Sequence, residues 1–520
     1  MLMNITRIRP QSFYVPLVFG RSEGSHSSRR LRITIAISVV STCLLLGLLA
    51  SQPARVPYGP YLLAFLLVIL VAGFVFVDRL FPVFAGWVAI EGIAYPFLRY
   101  PLHHDVATFD RFVILGLGVS ILLHPWRPMA TVSRRATWAF SVFTLIYGAS
   151  TIFELLHPLP LAPTQHSSSP IQPGIDWIEN LLLPLIVFVI AARTVSYERW
   201  RTLAKALTFL GTSLAVLTLV TWQIGFNLSH FAGSQLFLVS DVTGLAARAT
   251  GPYASPTAYG AVLIVCIAAT LYLIQVDKAY FWGGIAFAFE VISLAPGLTK
   301  TVWSAAFVAI IVALGVRRRV TSRILMIGLP AVLILAIAYS VFGSSKLVTA
   351  RTTSTASAES FAAREGAWQQ ALSIFDRWPL FGVGTGQVIN AQALVRPVRI
   401  NGVPAASSAH NTELSVLAET GLIGALGLIV ISYAMVQLIR TWRRQAQTAE
   451  EVIFGSTVLA AVTGYVILSQ TFGEIHDPPS SIFCALILGA VAGRLNYKTR
   501  LRQIDLSLSE ITVVNQQQTV

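Results

Sequence analysis

Residues 254–275, ASPTAYGAVLIVCIAATLYLIQ, run for 22 positions without a charged side chain. About 20 mostly apolar residues cross the hydrocarbon of a bilayer as a helix, so this stretch reads as a membrane span. Working outward in both directions, comparable apolar runs lie near 31–51, 60–77, 81–98, 110–123, 136–155, 177–192 and 204–224, then 280–297, 301–316, 323–343, 412–438, 452–471 and 480–493. The run at 110–123 is short enough to be re-entrant. The composition agrees: of 520 residues 55% are hydrophobic and 12% charged, with mean hydropathy +0.69, where soluble chains carry roughly 25% charge. A large soluble catalytic domain is excluded, and the fold expected is an all-α polytopic membrane protein of about 12–14 transmembrane helices.

The formal charge of +14 is explained by where the basic residues sit. With the amino terminus inside, alternation of the runs puts Arg127/Arg134/Arg135, Arg193/Arg199/Arg201/Lys205, Arg317/Arg318/Arg319/Arg323, Arg440/Arg443/Arg444 and Arg494/Lys498/Arg500/Arg502 all in the cytoplasm, as the positive-inside rule requires. Scattered short basic loops do not make the continuous basic face that nucleic acid needs, so no nucleic-acid partner is expected. The organisation that follows has a cytoplasmic tail at 1–30 ahead of an uncleaved first span, spans 1–11 over 31–343 with an outward loop at 225–253, a long outward loop at 344–411, spans 12–14 over 412–493, and a second cytoplasmic tail at 494–520. Both termini are then cytoplasmic, and the part of that tail after Arg502, polar and Gln-rich, reads as loose. Cys43, Cys266 and Cys484 all fall inside apolar runs, so neither a disulfide framework nor a metal cluster is expected.

Within 344–411, Phe361, Trp368, Leu372 and Phe375 recur at helical spacing beside Arg364, Glu365, Gln369, Asp376 and Arg377. The pattern predicts an amphipathic helix that ends before Pro379 and lies along the membrane face or caps a cavity.

The outward segments collect the residues that carry chemistry: Arg248 in RATGPYASPTAYG, Lys300 in GLTKTVW, Arg364 in FAAREGAW, the glycines of PLFGVGTG, and His410 with Asn411 in SSAHNTELSVLAETGLIG. Arginine presents a planar fork of donors and stays charged, so two or three such cations converging at a membrane surface suit a diphosphate. His410 immediately precedes a span, and a helix amino terminus disfavours the imidazolium. A neutral imidazole there can accept a hydroxyl proton near neutral pH. His476, beside Glu474 and Asp477, is a weaker candidate of the same kind. Gly382, Gly384 and Gly386 lack the flanking strand and Lys-Ser/Thr of a nucleotide loop; they read either as an anion cradle or as a tight connection that brings backbone close to a helix. Glu419, seven residues into its span, is costly in lipid and is expected to face the protein interior, as are Glu91 and Glu290.

These residues resemble the O-antigen ligase and polymerase superfamily of bacterial envelope glycosyltransferases. Three blocks carry the resemblance: Arg248-x-x-Gly251 followed by Tyr253 and Pro256; Arg364 with Trp368, then Pro379 and Gly382-x-Gly384-x-Gly386; and His410-Asn411 with Glu419-x-Gly421-Leu-Ile-Gly424. They cover about 248–430. Where the family often has Thr-x-Ser-Arg at a span start, this chain reads Thr299-Lys300-Thr301-Val302, so Lys300 would supply a point charge in place of a bidentate fork.

The resemblance implies an enzyme of the bacterial inner membrane that transfers a glycan from an undecaprenyl diphosphate carrier to an acceptor sugar hydroxyl at the periplasmic face, with inversion and with neither nucleotide nor metal cofactor. By the same resemblance Arg248, Arg364 and His410 would be catalytic. Lys300, Tyr253, Asn411, Trp368 and Glu419 would bind substrate, Asn411 orienting His410 and Tyr253 lining the pocket. The acceptor would be a lipid A core for a ligase or another carrier-linked repeat for an O-antigen or exopolysaccharide polymerase. A flippase or secondary transporter is a third reading, but it would place its charges near the bilayer midplane with repeat symmetry, not at one face.

Overall fold

A computed structural model describes residues 59–98, 109–123, 129–157, 159, 172–224, 237–240, 247–253, 255–297, 299–315, 354–392, 394–395, 399–400, 403–404, 409–473 and 477–518. The apolar runs at 31–51 and 323–343, and the candidates Glu474 and His476, lie outside these residues. The chain divides into two compact units, 1–70 and 71–520. Of the first, residues 59–70 form the opening part of helix α1 (Gly59–Phe76).

The second unit continues through a 3-10 turn at Val77–Arg79 into α2 (Leu80–Leu98), then α3 (Phe109–Leu123) and α4 (Thr131–Leu156). A short α5 (Gln172–Trp177) passes through a π turn at Ile178–Leu182 into α6 (Leu183–Thr194), followed by α7 (Tyr197–Ile224). Strands β1 (Phe237–Ser240) and β2 (Ala247–Gly251) pair antiparallel, with Val239 opposite Arg248. Helices α8 (Pro256–Val276), α9 (Tyr280–Ile292) and α10 (Lys300–Gly315) come next. The later part holds α11 (Ser354–Arg377), α12 (Val388–Gln392), a two-residue ladder of β3 (Arg399–Ile400) with β4 (Val403–Pro404), and α13 (Thr412–Gln445), α14 (Ala449–Ser469) and α15 (Pro478–Gln518).

Among the described residues, eight helices are long and apolar enough to cross a membrane, so the chain is an all-α polytopic membrane protein. Three of the runs read from the sequence form shorter helices: α3 with 15 residues, α9 with 13 and α10 with 16. At 1.5 Å per residue α9 is about 20 Å long, short of a hydrocarbon core of about 30 Å. The segment after Arg502, expected to be loose, instead continues α15 as helix to Gln518.

The charge-free stretch at 254–275 forms the central helix. α8 is buried on every side from Thr257 to Ile274, which is what a helix apolar all round requires. Helices α7, α9, α10, α14 and α15 pack around it. α15 also lies along α6, and Gly489 and Gly493 make that approach possible: a Cβ on either would sit 2.5 Å from Phe188 O or 2.6 Å from Ala191 O. Small residues four apart let helix backbones touch where lipid offers no hydrophobic drive for association.

Two polar ends bound this bundle. At one, Arg201 pairs with Glu450 at 2.7 Å, Tyr272 donates to the same carboxylate at 2.6 Å, and Lys498 pairs with Glu451 at 2.6 Å. Arg494 lies 4.3 Å from the ring centroids of both Tyr197 and Phe454, a desolvated cation held by aromatic faces. The start of α4, the ends of α6 and α13, and the basic clusters at 134–135, 193–205, 440–444 and 494–502 all belong to this end. The opposite end gathers the end of α4, the starts of α8, α10, α13 and α15, and the end of α14.

Candidate active site

The second end is assembled from α13 backward. Asn411 is extended (φ −159°) and its Oδ1 accepts from Leu414 N at 2.9 Å, capping α13. Its Nδ2 donates to Gln470 O at 3.4 Å, Thr412 Oγ1 donates to Phe472 O at 3.2 Å, and Gln470 Nε2 donates to Glu413 Oε1 at 2.8 Å. Three bonds thus tie the segment after α14 to the first turn of α13, and that places the Phe472 ring.

His410 precedes the cap with φ +46°, a left-handed conformation that is uncommon outside glycine. Its ring meets Phe472 edge-on, with centroids 5.7 Å apart and planes at 88°. Arg364, on α11, brings its guanidinium 5.7 Å from the centroid of the same ring. One aromatic side chain therefore holds both groups. Burial lowers the His410 pKa below its ordinary 6.5, and the Arg364 charge lowers it further. Burial also lowers that of Arg364 from its ordinary value. The imidazole is neutral near neutral pH and the guanidinium beside it is still cationic, an arrangement suited to taking a proton next to an anion.

A second pair forms at the start of α10. Arg248, on β2, donates from Nε to Gly297 O at 3.2 Å and from Nη2 to Thr299 Oγ1 at 2.5 Å. Lys300 is the next residue, exposed, and the first of α10. The helix amino terminus adds its own positive potential to these two cations. Ser255, which caps α8 by accepting from Ala258 N at 2.9 Å, donates to Asp477 Oδ2 at 3.4 Å. Asp477 lies five residues beyond Phe472, so this bond links the start of α8 to the segment that carries Phe472. Burial pushes the Asp477 carboxyl up to about 7.

Beneath this end α13 is broken. Gly421 has φ +63° and ψ −155° inside the helix, and the segment carrying Gly382, Gly384 and Gly386 lies against the break. Val383 N donates to Ala418 O at 3.0 Å, Gly384 N to Glu419 O at 2.9 Å, and Leu422 N to Pro379 O at 2.8 Å. A Cβ on Gly382 would run into the Glu419 and Thr420 backbone. The glycines thus serve as the close connection and supply the hydrogen bonds that the broken helix lacks. Glu419 is 2% exposed, and its Oε1 accepts from Gly386 N at 3.0 Å. The neighbouring Glu154 accepts from Gln387 Nε2.

The residues expected from the sequence therefore separate. Arg364 and His410 converge on Phe472, with Trp368 one turn along α11 and partly buried; Arg248 and Lys300 converge on the start of α10. Asn411 caps its helix and sets where His410 sits. Tyr253 is 1% exposed and donates to Glu91 Oε2 at 2.9 Å, which pins the end of β2 to α2. Phe472 was not foreseen, because a lone aromatic in a connecting segment carries no pattern. The inward face of α11 is also rotated from the one expected: Ala367, Gln370, Ala371 and Ile374 are buried, while Leu372 is 45% exposed. Small side chains on the buried face let α11 approach α13 closely.

Residues 285–429 match the family described as O-antigen ligase. The match takes in Lys300, Arg364, Trp368, His410, Asn411 and Glu419, and starts downstream of Arg248 and Tyr253. Among curated proteins none matches the chain. The match spans 145 of the 520 residues and marks that segment as similar to the O-antigen ligase family, in support of the resemblance to the O-antigen ligase/polymerase superfamily.

Proposed function

We propose that the chain is a glycosyltransferase of the O-antigen ligase type, taking a glycan from undecaprenyl diphosphate to an acceptor sugar hydroxyl at the periplasmic face of the inner membrane. The observation that carries this reading is the joint hold of Phe472 on Arg364 and His410 inside the matched segment. In the reaction proposed, His410 removes the acceptor hydroxyl proton as that oxygen attacks the anomeric carbon. The bond from that carbon to the diphosphate oxygen breaks, and undecaprenyl diphosphate leaves with inversion of configuration.

Arg364, Arg248 and Lys300 take up the charge that grows on the leaving diphosphate. Trp368, one turn from Arg364 on α11, offers an aromatic face to the glycan. Asn411 acts through the backbone that orients His410, and Glu419 through the glycine segment it holds. Tyr253 acts by seating the strand that carries Arg248. The sidedness is supported by the basic clusters at the other end of the bundle, which the positive-inside rule assigns to the cytoplasm.

The test is a gel of lipopolysaccharide and carrier-linked glycan from a host lacking the gene, rescued with wild type or His410→Ala. Long chains held on the carrier and missing from the lipid A core, restored by wild type alone, are the expected result. Single repeats on core or carrier would instead assign a polymerase acting on the same donor. Unchanged pools in both compartments would contradict glycan transfer.

A further inference from the structure

The basic end of the bundle, opposite the site just described, contains a cavity of about 210 Å³, far above the roughly 10–15 Å³ that admits one water. Three arginines from three elements line it: Arg193 at the end of α6, Arg199 at the start of α7 and Arg500 on α15, and among the described lining residues Asp78 is the one acid.

The frame around them is well fixed. Asn496 donates from Nδ2 to Ala192 O at 2.9 Å and accepts on Oδ1 from Ala130 N at 2.8 Å, which joins α15, α6 and the start of α4. Arg500 Nε donates to Asn496 O at 3.2 Å. Arg199 donates to Thr194 O at 3.0 Å and stacks 5.1 Å from the Phe81 centroid, so its guanidinium stands at the rim.

The rest of the lining is largely apolar, including Phe81, Ile121 and Met129. Next to Ile121 and close to Val77, Leu122 and Val75 are 68% and 66% exposed on the outside of the bundle. A ligand there meets cations at its head and apolar surface along its flank. We infer that this cavity binds the phosphodiester headgroup of an anionic phospholipid, with its acyl chains passing Val75 and Leu122, as basic pockets between membrane helices do at the cytoplasmic side. The inference is independent of the glycan-transfer reading, since it uses none of the residues placed in that site.

The test uses the purified full chain in a neutral detergent, with thermal stability as the readout of binding. Phosphatidylglycerol is expected to raise the unfolding temperature while phosphatidylcholine does not, and the rise should shrink as salt increases. Arg199→Gln with Arg500→Gln should weaken the apparent affinity on the order of tenfold. Asp78→Asn, which leaves all three arginines in place, should strengthen it, so a folding defect in the arginine variant does not shelter the proposal. Equal shifts from the two lipids, or the same phosphatidylglycerol affinity in wild type and Asp78→Asn, would overturn it. Inorganic phosphate giving the full shift alone would overturn the lipid assignment in favour of a free-phosphate site.

Discussion

His410 is held in a backbone conformation that few residues other than glycine adopt. A non-glycine residue at φ +46° stores on the order of 1–3 kcal/mol of strain, and the Asn411 cap and the Phe472 contact hold it there. Because burial and the Arg364 charge both oppose protonation, the neutral form dominates above a midpoint below 6.5, and transfer should rise with pH through that midpoint and then level. NMR titration of the labelled imidazole checks this. Arg364→Gln removes one of the two causes and should move the midpoint upward, while burial still keeps it below 6.5; a wild-type midpoint at or above 6.5 would contradict the assignment. Phe472→Ala should lower transfer roughly tenfold to a hundredfold by loosening two groups at once, with the chain still inserted and folded; transfer equal to wild type would remove Phe472 from the site. His410 and Arg364 stood out in the sequence because their types and neighbours formed motifs, and the structure brings both to Phe472. Phe472 was not, since its role arises from three hydrogen bonds between segments some 60 residues apart in the chain.

At the scale of elements, the feature that positions the site is the broken helix α13. The run 412–438 reads as one uninterrupted span, and nothing in its periodicity marks Gly421 as a break. The bonds that hold the break are long-range: Leu422 N reaches Pro379 O, and Gly384 N reaches Glu419 O. The alternative reading of PLFGVGTG as a tight connection was available from the sequence, but its partner was not. Gly421→Ala places a Cβ at φ +63° against the Leu380 and Phe381 backbone, and should lower stability by more than about 1 kcal/mol. Gly284→Ala, which meets open space, is the matched control and should leave the unfolding temperature nearly unchanged. A Gly421→Ala protein as stable as that control would mean that the glycine segment does not hold the break.

For the whole molecule, hydropathy made the class and most spans legible, because lipid leaves helices as the only open-ended way to satisfy the backbone. Span counting was less secure where apolar runs end early, as α9 shows. Four of the basic clusters read from the sequence, at 134–135, 193–205, 440–444 and 494–502, meet at one end through ion pairs and backbone bonds, while the cluster at 317–323 lies outside the described residues. Membrane-impermeant thiol labelling measures the orientation: Glu413→Cys, exposed at the start of α13, should react from outside intact cells. Arg444→Cys, exposed at its other end, should react only after permeabilisation, each read against the unsubstituted chain. The reverse pattern would place the site in the cytoplasm. His410 as general base is tested by transfer by the purified chain from a labelled undecaprenyl diphosphate glycan to an acceptor, comparing wild type with His410→Ala. A loss of about a hundredfold or more in rate with binding of the donor retained is expected for a general base, and an undiminished rate in His410→Ala would contradict the account.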